Sequence, residues 1–93
     1  MKSNNKFNSV IKNFNDGKTK DAILQVADLI KNNPKNLDYI FLYAKMCNQA
    51  NKLNEAEKTL LFLISKNKTS TEYFHNLYSV YLKKNNINKS EIF

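Results

Sequence analysis

The sequence predicts an all-α fold of stacked antiparallel helix pairs, and three observations carry that expectation. Apolar residues recur at spacings of three and four along the whole chain, the signature of one buried face on a helix. No stretch alternates at period two over the length of a strand, so no sheet is expected. The residues that end helices return at an interval of 34 positions.

The elements follow in order. Phe7, Val10, Ile11 and Phe14 mark a first helix over about 4–15. Gly17, the single glycine, stops it at a position that tolerates positive φ. Ala22, Ile23, Val26, Ala27 and Ile30 mark a second helix over about 20–32, closed by Pro34, the single proline, through which a helix cannot run. Ile40, Phe41, Tyr43, Ala44 and Cys47 mark a third over about 37–50. Ala56, Leu60, Leu63 and Ile64 mark a fourth over about 54–67. Phe74, Leu77, Tyr78, Tyr81 and Leu82 mark a fifth over about 71–84, with a short sixth starting at 88. Three starts carry capping-box spacing: Asn54 with Glu57, Thr69 with Glu72, and Asn88 with Glu91.

The interval unites these elements. Asn51 stands 34 positions after Gly17, and asparagine is the next best residue for a left-handed turn. Ala22 and Ala56, Val26 and Leu60, and Ile30 and Ile64 keep the same spacing, and Asn85 follows Asn51 at it. Small residues at 22, 44 and 56 let helices approach closely, while Val26, Leu60 and the aromatics fill the space between pairs. A single helix pair cannot bury its own face, so stability is expected from stacking.

With these residues in phase, the chain resembles the tetratricopeptide repeat family. The second copy carries Ile40, Tyr43, Ala44, Cys47, Asn51, Leu53, Ala56, Leu60 and Leu63 at the patterned positions; the first carries Val10, Gly17, Ala22, Val26, Leu29 and Pro34. The third carries Phe74, Leu77, Tyr81, Asn85, Ile87 and Ser90. The resemblance implies a right-handed α-solenoid with repeats over about 3–36, 37–70 and an incomplete 71–93, five full helices and a short sixth. Phe14 lies one position off the family's aromatic, Lys68 stands where the family prefers proline, and Tyr78 is large where the pattern is small. The short ending leaves Leu60–Ile64 and the third pair partly uncovered, which points to a longer protein or to self-association through that face.

Composition narrows the function. The 93 residues make one domain, with a formal charge of +7 carried by lysine alone. Without arginine the chain lacks the preferred bidentate ligand of phosphate and guanine, which argues against nucleic acid despite the charge. One cysteine makes no internal disulfide and no Cys/His spacing suits zinc, so no metal or cofactor is expected and a reducing, cytoplasmic setting is the default. The start has no apolar signal segment, and the longest apolar run, Leu60–Ile64, is far too short to cross a bilayer.

The candidate chemistry is sparse. His75, the single histidine, has Glu72 and Ser79 one turn away on either side, but no nucleophile motif accompanies it, and a non-catalytic role is expected. Cys47 lies on the apolar phase of its helix and is expected to be a packed thiol. Tyr73, Phe74, Tyr78 and Tyr81 could stack on bases, but their helical spacing points to core packing. Lys66, Lys68, Lys83 and Lys84 read as solvated helix ends.

The family resemblance implies a concave groove lined by the first helix of each pair. Carried over by position, the stripe is Asn4, Phe7, Ile11 and Phe14, then Asp38, Phe41, Lys45 and Asn48, then Glu72, His75, Ser79 and Leu82. Spacings of three, four and three put each set on one face. The implied function is a protein-interaction scaffold that takes a peptide or a helix, with Lys45 facing Asp38 and Glu72. Phe7 and Ile11 stand where some relatives clamp a terminal carboxylate, which argues against that ligand. The same resemblance leaves an RNA-reading pentatricopeptide-like repeat and the leading part of a larger bacterial transferase as alternatives.

Overall fold

The computed structural model describes the backbone of residues 2–92 and the side chains of residues 8–86. It contains five α-helices: α1 (Lys2–Asn15), α2 (Thr19–Asn32), α3 (Leu37–Gln49), α4 (Leu53–Lys66) and α5 (Thr71–Ile92). No strand occurs among the described residues. Each helix packs on the next in sequence, and α3 also touches α5 directly. Both α2 and α4 keep the 34-residue interval at their two ends, and α3 and α5 keep it at their starts.

The turns explain why the interval persists. Gly17 adopts φ 84° and Asn51 φ 62°, both left-handed. After α1 the Lys18 amide donates to the Asn13 carbonyl at 2.8 Å and the Gly17 amide to Phe14 at 3.2 Å. After α3 the Lys52 amide donates to Cys47 at 2.8 Å and the Asn51 amide to Asn48 at 3.2 Å. This paired closure satisfies carbonyls that a helix end would leave bare. A Cβ at Gly17 would meet nothing within 4 Å, so only the backbone angle asks for glycine there. Asparagine can therefore serve at the equivalent place.

Burial follows the repeated positions. One cluster joins Val10, Ala22, Ile23, Val26 and Leu29 to Leu42 and Met46 of α3. A second joins Ile40, Phe41, Ala44 and Cys47 of α3 to Leu53, Ala56, Leu60 and Leu63 of α4 and to Tyr73, Leu77 and Val80 of α5. Ala22, Ala44 and Ala56 are fully buried, as close helix crossings require. Helix α3 feeds both clusters, so seven of its thirteen residues are buried. Ile30 and Ile64 are each half-buried at the cluster margins.

Several expectations need correcting. No sixth helix starts at 88, because α5 runs unbroken from Thr71 to Ile92. Asparagine at 85 is tolerated inside a helix at modest cost, and no glycine or proline forces a reversal. Ser90 also stands where Ala22 and Ala56 anchor the returning helices. The buried phase of α5 is Tyr73, Leu77 and Val80, so Phe74, Tyr78 and Tyr81 are surface residues and not core. Tyr78 occupies no helix crossing and is 63% exposed. Leu60 and Leu63 are fully covered, because α5 lies over them, and Leu61 and Phe62 remain exposed.

The helix starts also differ from the capping-box spacing. Asn54 falls inside α4, whose N-cap is Lys52 with no side-chain bond. Thr69 precedes α5 by two residues and is held in a turn by Asn67, whose Oδ1 accepts from the Thr69 amide at 3.2 Å. Asn88 lies within α5. The side-chain cap that does form is Asn36, whose Oδ1 accepts from the Tyr39 amide at 3.2 Å.

Candidate functional site

The stripe on α3 and α5 is one connected surface, but part of it is consumed by packing. Phe41 and Asn48 are buried in the seam between α3 and α5. The Phe41 ring meets Tyr73 edge-on, with centroids 4.8 Å apart and planes at 64°. Asn48 Nδ2 donates to Ser79 Oγ at 3.3 Å, and the Asn48 carbonyl accepts from Lys83 Nζ at 2.9 Å. Asn48 Oδ1 is buried with no partner among the described residues, a cost of about 1–3 kcal/mol.

Asp38, Lys45, Glu72, His75 and Leu82 are exposed around that seam, and Ser79 is half-buried. Asp38 and Glu72 both lie close enough to Tyr73 to raise its hydroxyl pKa, after burial, which is the larger cause. Lys45 forms no ion pair with either acid. Its ammonium sits 4.5 Å from the Phe41 ring centroid, so a cation–π contact holds it over the seam. The exposed surface therefore carries two acids, one positioned cation and one histidine.

The α1 part of the stripe is different. Ile11 and Phe14 are half-buried and pack against the first cluster. Asn4 and Phe7 lie outside the residues whose side chains are described. Lys83 and Lys84 are not solvated ends. Because α5 continues past them, they are mid-helix residues facing inward, Lys83 onto α3 and Lys84 onto Glu57 of α4. Hydrogen bonds from Lys84 and then Tyr81 hold the Glu57 carboxyl below its usual range.

A feature absent from the sequence reading is a cleft of about 400 Å³ where α2, α3 and α4 meet. Ala27, Ile30, Ile40 and Phe62 give it apolar walls, and Tyr43, Glu55 and Lys58 stand at its polar side. Tyr43 donates to Glu55 at 3.5 Å, and burial above all pushes its hydroxyl up to about 12. Phe62 signalled this cleft by being apolar on an otherwise polar helix face. Beside it, Cys47 is fully buried and burial pushes its thiol up, which leaves it protonated and unreactive.

His75 is exposed on α5, with Glu72 and Ser79 on neighbouring turns, and none of these forms a hydrogen bond to it. No group of three or more metal-ligating side chains occurs among the described residues. No helix among them is long and apolar enough to cross a membrane. Comparison with protein-family models, with curated proteins and with solved structures found no match to this chain.

Proposed function

We propose that the chain is a tetratricopeptide-like right-handed solenoid that acts as a non-catalytic scaffold for a protein segment. The observation that carries this reading is the recurrence of the same left-handed turn, with the same hydrogen bonds, 34 residues apart. That recurrence supports a repeated helix pair, and repeated pairs present extended surfaces suited to binding peptides. Asp38 and Lys45 on α3, with Glu72 and His75 on α5, form the recognition surface, floored by Phe41 and Tyr73. A peptide there meets a rigid aromatic floor and charges that fix its register.

Selection of displayed peptides on the purified chain tests the reading. Wild type should enrich a defined motif. The double variant Asp38→Lys, Lys45→Asp should lose that motif by about tenfold or more in affinity. Absence of enrichment, or a motif that binds both proteins equally, would overturn the proposed surface.

A further inference from the structure

Helix α5 carries a further surface, which adjoins the proposed peptide surface at His75 and Leu82 but does not rest on that reading. Phe74, Tyr78, Tyr81 and Leu82 are each close to half exposed or more. At 100° per residue they fall on one face, beside that of the buried Tyr73, Leu77 and Val80. Among the residues whose side chains are described, the remaining positions of that face are Thr71, His75 and Asn85. Between Thr71 and Asn86 it therefore holds no lysine, aspartate or glutamate, in a chain with a net charge of +7. The outer faces of the other helices are charged: Lys20, Asp21, Asp28 and Lys31 are exposed on α2, and Glu55, Lys58 and Lys66 on α4.

We infer that this face pairs with the same face of a second copy, with α5 antiparallel to its mate. The spacing is self-complementary about Tyr78. A two-fold axis there sets Tyr78 on its mate, Phe74 on the mate's Leu82, His75 on the mate's Tyr81, and Thr71 on the mate's Asn85. An isologous interface demands this reciprocity: residue i meets j while j meets i. Charge selects the same face. Two chains of +7 repel, and the neutral stretch from Thr71 to Asn85 lets them approach there without setting lysine on lysine.

The area suits a dimer of modest affinity. With about half of each surface free, the four side chains offer on the order of 400 Å² per copy. Two copies bring on the order of 800 Å². The flanking Thr71 and His75 raise the total toward the ~1,000 Å² of a specific interface. Leu61 adds to it from α4, one turn beyond Glu57 on the side that faces α5.

Sedimentation velocity of the full chain over a wide concentration range tests this. Wild type should pass from monomer to dimer. Tyr78→Lys should weaken dimerisation by about a hundredfold, since it buries two ammonium groups on the axis. Its helical circular dichroism should stay unchanged, because Tyr78 is a surface residue. Phe74→Lys and Leu82→Glu should each weaken the dimer alone, and an equimolar mixture should restore it by about tenfold, because the axis sets 74 against 82. A wild type that stays monomeric throughout would overturn the inference and leave the face to a different partner. A dimer indifferent to Tyr78→Lys, or a mixture without rescue, would overturn the stated interface.

Discussion

Helices α3 and α5 begin 34 positions apart, at Leu37 and Thr71, and share their phase in the repeat. Their surroundings differ. Helix α3 is covered on one side by α2 and on the other by α4, so Leu42 and Met46 are buried in one direction and Ala44 and Cys47 in another. Helix α5 packs on α3 and α4, and Phe74, Tyr78, Tyr81 and Leu82 stay exposed on it. The asparagines that follow behave differently too. Asn51 leaves the helix in a left-handed turn, whereas Asn85 remains inside one. Neighbouring helices, more than local residue type, decide both outcomes. An apolar anchor such as Ala56 makes a reversal worthwhile, and Ser90 offers none.

The largest expected effect lies in the contrast of burial. Met46 is fully buried, so Met46→Ala should lower stability by about 3 kcal/mol. Tyr78→Ala should change it by less than ~0.5 kcal/mol. Urea denaturation at low protein concentration, where association is absent, checks both. Similar losses at the two positions would mean that α5 is covered as fully as α3.

A smaller effect concerns the two asparagines, and here the sign carries the test. Asn51→Ala places a Cβ-bearing residue without local hydrogen-bonding help at φ 62° and should cost about 1 kcal/mol. Asn85→Ala should stabilise by about 0.5 kcal/mol through helix propensity. Thermal or urea unfolding of the pair reads this directly. A loss at Asn85 would place a turn there and restore the symmetry of the two helices.

The smallest effect is pH-dependent and concerns the tie between α5 and α4. The Glu57 carboxyl is held below its ordinary value of 4.5 by Lys84 and Tyr81. A lowered carboxyl contributes stability that is present above the ordinary value and lost as pH falls through the folded one. Wild type should therefore exceed Glu57→Gln in stability at pH 7. The difference should shrink as pH drops below about 4.5. A difference that does not vary over that range would mean that the Lys84 contact does not hold α5 to α4.

Much of the fold was legible because periodicity and turn chemistry are local. Gly17, Asn51 and Pro34 end helices for reasons contained in a few residues, and all three stand where the chain turns. The caps were less legible. Three asparagine or threonine pairs had suitable spacing and did not cap, whereas Asn36, directly before Leu37, did. Spacing alone does not say which residue first leaves helical geometry. The phase of α5 was misread because two adjacent faces are both apolar, and only packing shows which one is buried. Lys83 and Lys84 looked like a solvated end because their partners, Asn48 and Glu57, lie about thirty positions away. The groove stripe was legible as a set of positions. That Phe41 and Asn48 close onto α5, leaving Asp38, Lys45, Glu72 and His75 free, depended on contacts between helices.

The position of Cys47 has a kinetic consequence. The single thiol of the chain sits, with no exposed surface, on the helix that contributes to both apolar clusters. A reagent cannot reach it while α3 and α4 stay together. When opening and closing are fast relative to the chemistry, the rate of modification measures the population of open molecules. The chain thus reports its own opening at its most enclosed helix, without an added label. Fraying elsewhere leaves that signal silent, because it does not uncover the sulfur.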